Sequence, residues 1–152
     1  MRGNALKRSW RRRILSLSAN DPKSEEARAG MTTYSDDIYT EPNFDCNTLN
    51  NLGPLTKMAG IWSGRRGLDT SPKAAGPEHT PFFDHIEMQP IDPQTNGPQL
   101  LYGLRYHTHV TKPEQVKTYH DQVGYWLWEP ATETVIHTLT IPRGQVVMAS
   151  GK

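Results

Sequence analysis

From residue 60 onward the chain consists of short β-branched and aromatic runs separated by Pro, Gly and Asn, the pattern of an all-β segment. It predicts six strands, over 61–67, 82–91, 99–110, 119–128, 134–141 and 145–150. The connections fall at 69–81, a long Pro/Gly-rich loop; at 92–98, where Asn96-Gly97 is a hairpin signal; and at 111–118, 129–133 and 142–144. Alternation sharpens the reading. In the third strand Leu100, Tyr102, Leu104, Tyr106 and Val110 share one face, and Leu101, Gly103, Arg105, His107 and His109 share the other. In the fourth, Trp126 and Trp128 lie with Gly124, while Val123, Tyr125 and Leu127 lie opposite. Both of its faces are bulky, so this strand is expected to be covered on both sides. A run of up-and-down hairpins around a shared apolar interior is expected to curl into a lipocalin-like antiparallel barrel.

The N-terminal third has a different texture. Residues 52–59 fit one or two helical turns, with Pro54 near the start and Gly60 as the stop. Residues 31–51 are polar and expected to be irregular. Leu6, Trp10, Ile14 and Leu17 fall at helical spacing. The division expected is a basic and polar tail over 1–51, mostly irregular, and a barrel domain over 52–152.

Charge follows the same division. Residues 1–20 hold six Lys/Arg and no acid, whereas residues 31–152 hold nine Lys/Arg against thirteen Asp/Glu. A nucleic-acid role for the barrel segment is therefore not expected. The Arg- and Ser-rich start resembles an organelle transit peptide; a solvated tail and a true start at Met31 are the other readings. One cysteine, Cys46, excludes an internal disulfide and a thiolate zinc cluster. No apolar run reaches the length of a membrane span. A cytoplasmic protein is the expectation, with organelle targeting as the alternative.

Three stretches carry a family resemblance. They are Leu52-Gly-Pro-Leu leading to Ala59-Gly60-Ile61-Trp62-Ser63-Gly64; Leu101-Tyr102-Gly103-Leu104-Arg105-Tyr106; and Val123-Gly124-Tyr125-Trp126-Leu127-Trp128-Glu129-Pro130 leading to Ile141-Pro142-Arg143-Gly144. Together they resemble the nitrobindin / THAP4-type heme-binding β-barrel family, in its bacterial fatty-acid-binding-protein-like branch, over about residues 50–152. The resemblance implies a ten-stranded barrel with a cavity, and in the nitrobindin branch heme b held by a proximal His on a late strand, with nitric oxide and peroxynitrite chemistry. Six of the ten strands fall within this sequence, and no residue matches the proximal His. The barrel is thus expected to be incomplete, with a second copy as one cover for its open edge. The first motif carries one residue more than the family's Gly-x-Trp-x-Gly-x-Gly pattern, because Arg65 and Arg66 both precede Gly67.

The residues expected to meet a ligand are Trp62, Tyr102, Arg105, Tyr106, Tyr125 and His137. Trp62 with its flanking glycines is read first as core and then as a cavity wall. Arg105 has the donors to hold a carboxylate, and Arg143 is read as fixing a turn. The tyrosines and His137 are read between core packing and polar contact with a ligand. His107 and His109 form a His-x-His pair on the polar face, with His120 brought near if the strands pair. A solvated surface is the main reading there, with a metal half-site and a heme-related role as the lesser ones. No catalytic residue is expected, since phosphate-loop, nucleophile-elbow and His-Glu-x-x-His patterns are absent from the sequence. The function expected is binding of heme or a fatty-acid-like apolar ligand. A heme-dependent peroxynitrite isomerase and a non-enzymatic interaction domain are the alternatives.

Overall fold

The computed structural model describes residues 37–152. The expectations for Leu6, Trp10, Ile14, Leu17 and the Arg-rich start lie outside the described residues. A one-turn helix α1 (Thr48–Asn51) and a 3-10 helix (Gly53–Met58) precede six strands: β1 (Gly60–Ser71), β2 (Glu78–Asn96), β3 (Gln99–Thr111), β4 (Thr118–Glu129), β5 (Thr134–Ile141) and β6 (Gln145–Gly151). They form one antiparallel sheet in sequence order, β1-β2-β3-β4-β5-β6. Among the described residues no ladder joins β1 to β6, so the sheet is an open, incomplete barrel.

The strands run longer than the sequence pattern indicated. β1 continues to Ser71 and β2 starts at Glu78, so the long loop expected over 69–81 shrinks to six residues. β2 also absorbs Asp92-Pro93. Its pairing with β3 shifts between Ile91 and Gln94, and a bulge is where a strand tolerates a proline with no N–H to donate. The hairpin that follows turns on Gly97-Pro98, with Gly97 at φ +56°. A left-handed residue at the first loop position is what a type II′ turn requires.

A second bulge explains the extra residue of the first motif. Gly64 pairs with Asp84 and Gly67 with Phe82, so β1 spends one residue more than β2 over this interval. Three steps would normally reverse the facing of a side chain. The bulge restores it, and Gly64 and Gly67 both lie under concave-face side chains. A Cβ at Gly64 would sit 2.1 Å from Asp84 Oδ1, and one at Gly67 would sit 2.2 Å from the Phe82 ring.

The hydrophobic core lies at one end of the concave face. Leu52, Leu55 and Leu104 are buried there, with Met58, Ala59, Met88, Trp126, Trp128 and Val135 around them. The short helices form the wedge that covers this end. Thr48 anchors α1 by donating its hydroxyl to the Ile91 carbonyl at the β2 bulge, at 2.6 Å. Gly53, at φ +53°, leaves space for the Trp128 indole, whose Nε1 would lie 2.5 Å from a Cβ there. At the opposite end the sheet rolls. The Tyr119 hydroxyl on β4 donates to Asp69 Oδ2 on β1 at 2.6 Å, across two intervening strands.

One expectation about burial is overturned. The outer face of β4 is not covered: Val123 is 45% and Tyr125 43% exposed. Among the described residues no second layer lies over that face, so bulky residues there meet solvent. No helix among the described residues is long and apolar enough to cross a membrane.

Candidate functional site

The register assigns each residue to a face. Met88, Tyr106, Gly124 and Leu139 form one cross-strand row of the concave face, and Trp126, His137 and Ala149 lie in the adjoining one. Four polar groups are threaded through this mostly apolar surface. Gln122 Nε2 donates to the Tyr106 hydroxyl. That hydroxyl lies 2.8 Å from His137 Nε2, and His120 Nε2 lies 3.3 Å from Gln122 Oε1. The Tyr106 oxygen thus accepts from Gln122 while sharing a second hydrogen bond with His137 Nε2, whose direction follows the imidazole tautomer. The His137 ring stacks on Trp126, with centroids 3.9 Å apart and an interplanar angle of 11°.

Burial sets the protonation of this pair. It holds the His137 imidazole below its ordinary pKa and pushes the Tyr106 phenol above its own. Both groups are therefore neutral near pH 7, the state that costs least on a partly dry wall.

Two of the recesses are bordered by concave-face residues. One, of about 440 Å³, lies at the β1–β2 side among Met58, Trp62, Gly64, Asp84, Ile86 and Met88, with Lys57 and Ser63 at its margin. The other, of about 340 Å³, lies at the rolled end among Asp69, Phe82, Val110, Tyr119, His120 and Arg143. Asp69 there is held below the usual carboxylate range, first by the Tyr119 hydroxyl and then by Ser71. The same carboxylate holds the Tyr119 phenol above its ordinary value.

The six residues expected to meet a ligand divide by face. Trp62, Tyr106 and His137 come to the concave side. Trp62 is 50% exposed rather than core, and its indole N–H donates to the Met58 carbonyl at 2.8 Å. Tyr102 is on the same face but buried near the helical wedge. Arg105 is exposed on the outer face, where Nη2 donates to Gln89. Tyr125 is also on the outer face. Arg105 and Tyr125 together line a separate outer-face recess of about 570 Å³ with Ile91, Gln94 and Leu127.

His120 does not join His107 and His109. Val110 pairs with His120 and His109 with Asp121, which puts His120 on the concave side and the His-x-His pair outside. Cys46 is exposed and free.

Sequence reasoning missed Gln122, Asp69 and Tyr119. Gln122 was accessible, because it shares the parity of Gly124, Trp126 and Trp128. Tyr119 was not. It is the additional residue of a bulge where the β3–β4 register shifts between Val110 and Thr111, and strict alternation breaks there.

Comparison with known proteins gives one match. A family model described as the THAP4-like, heme-binding beta-barrel domain covers residues 51–152. Comparisons with curated proteins and with solved structures return no match. The match spans the 3-10 helix and all six strands, including every concave-face residue named above. The chain belongs to the THAP4-like heme-binding β-barrel family.

Proposed function

We propose that the chain is a binding module that takes heme, or a flat apolar ligand of similar character, on the concave face of its sheet. The observation that carries this reading is the pairing of an apolar aromatic wall with the neutral Tyr106–His137 couple. A site for an apolar ligand needs such a wall and a small number of placed polar groups.

The residues present fit a heme group in their chemistry. Trp62, Ile86 and Met88 offer apolar surface beside a recess of about 440 Å³. His137 offers an uncharged imidazole whose Nε2 is held by Tyr106. In this reading His137 and Tyr106 contact the bound group from the wall, and Gln122 with His120 keeps the Tyr106 hydroxyl aimed. Bound heme would supply an iron centre able to take small oxygen- or nitrogen-containing ligands. What the chain supplies is an apolar aromatic wall and the hydrogen-bonded Tyr106–His137 couple. Binding therefore takes precedence over catalysis.

The test is titration of the full chain with hemin, followed by the Soret band and by tryptophan fluorescence. A saturable one-to-one complex is expected. Trp62→Ala, Tyr106→Phe and His137→Ala should each weaken it by about tenfold, or about 1.4 kcal/mol. Arg105→Ala and Tyr125→Ala should leave it unchanged. A complex insensitive to the first three and sensitive to the last two would overturn the reading. Peroxynitrite decay faster with the complex than with free hemin would add an activity to the binding role.

A further inference from the structure

The outer face of the sheet, opposite the heme-binding reading and independent of it, gathers imidazoles and carboxylates from three strands. The register makes His85 the direct cross-strand partner of His109, and Glu87 that of His107. On the other side His109 faces Asp121. Three of the chain's six histidines thus meet two carboxylates on one patch of β2, β3 and β4. The His-x-His spacing was visible in the sequence, whereas His85 and Asp121 were added by strand pairing.

The geometry points to a site for a divalent transition-metal ion of the zinc class, held by His107, His109 and Asp121, with His85 at its edge. His107 Nε2 lies 2.9 Å from Asp121 Oδ2. Ligand atoms about 2.0–2.2 Å from a tetrahedral zinc-class ion are about 3.3–3.6 Å apart, so this hydrogen-bonded pair opens by about half an ångström to admit one. The His107 and His109 rings are nearly parallel, at 28°, with centroids 6.2 Å apart. Both extend toward β4: His107 Nε2 to Asp121 and His109 Nε2 to Thr118 Oγ1, at 3.0 Å.

In the observed side-chain positions no three such groups among the described residues converge on one point. Binding exchanges two surface side-chain contacts, His109 with Thr118 and His107 with Asp121, for the ion, and such contacts contribute little to stability. Two imidazoles with one carboxylate suit a borderline ion such as Zn²⁺, Co²⁺, Ni²⁺ or Cu²⁺ better than Mg²⁺ or Ca²⁺, which prefer all-oxygen shells. Glu87 lies beside His85, with Oε1 3.1 Å from Nε2. The other ring nitrogen of His85, Nδ1, lies 3.2 Å from Ser63 Oγ on β1, so His85 borders the site without being a ligand.

The experiment uses the untagged full chain without heme and Zn²⁺ alone, followed by calorimetry. One ion per chain is expected. His109→Ala, His107→Ala and Asp121→Asn should each weaken binding by about tenfold or more. His79→Ala, His120→Ala and Cys46→Ser should leave it within about twofold of the original, since those residues lie away from the patch. A second measurement needs no variant: substoichiometric Cu²⁺ should broaden the backbone amide resonances around His107–His109 and Asp121 before all others. No saturable binding, binding untouched by the patch substitutions, or broadening centred on His120, His137 or the N-terminal residues would overturn the site.

Discussion

Replacing Tyr106 by Phe isolates the polar couple at the centre of the concave face. The hydroxyl accepts from Gln122 Nε2 and shares a hydrogen bond with His137 Nε2. Removing it leaves both partners on a partly buried wall with one bond fewer. A hydrogen bond of this kind contributes about 0.5–1.5 kcal/mol net. Gln122 is half-exposed and can turn to water, so the sum is about 1–2 kcal/mol. For a domain of this size the thermal midpoint should fall by about 4–10 °C. Urea unfolding followed by both tryptophan fluorescence and far-ultraviolet circular dichroism supplies the free energy, with coincident transitions as the check on two-state behaviour. A double-mutant cycle with His137→Leu should then return a coupling of about 0.5–1.5 kcal/mol. If Tyr106→Phe is neutral, or the two changes add without coupling, the relay does not hold the wall together and the reasoning fails.

Other outcomes follow from the same geometry. Because burial lowers the His137 pKa, the unfolded chain binds its proton first as pH falls. The His137 contribution to stability should therefore decline below about pH 6.5, the imidazole's ordinary value. This decline should vanish in His137→Leu, as read from urea midpoints across pH 5–8. Asp69 titrates in a lower window. Its depressed pKa stabilises the fold above the ordinary carboxylate range and is lost as pH drops through the folded value, so Tyr119→Phe should flatten the acid limb of the stability curve. Gly53→Ala faces a left-handed backbone and the Trp128 indole together. A loss of about 2–4 kcal/mol is expected by denaturant titration. Deleting Arg66 removes the additional residue of the β1 bulge and leaves two regular steps from Gly64 to Gly67, so Asp69 stays on the concave face. Tyr119→Phe should remain destabilising in that background, as read from urea midpoints.

The all-β architecture and its strand order were legible because hairpin meanders leave local signals: alternation within each strand and Gly, Pro or Asn between them. Tyr106 and His137 were readable as concave-face residues from parity alone. What parity could not resolve was Arg105, whose long side chain suits either side of a sheet, and Tyr125, whose bulk suggested cover where there is solvent. Bulges defeated it elsewhere. The additional residue at Arg65-Arg66 looked like a departure from the family motif and is instead a local kink that keeps Gly64 and Gly67 on one side. Asp69 and Tyr119 join residues 50 positions apart over two strands, a closeness that depends on how far the sheet rolls and that no short sequence window encodes.

The carboxylate–phenol clasp and the leucine wedge act at opposite ends of the same trough. One end is propped by bulk: Leu52 and Leu55 press on Leu104 and fix how widely the strands splay. The other is drawn in by the Tyr119–Asp69 hydrogen bond between the fourth and first strands. Anything lodged between them must therefore enter along the unclosed flank or by slipping that clasp, and a molecule long enough to touch both ends would feel the wedge as a stop and the clasp as a latch.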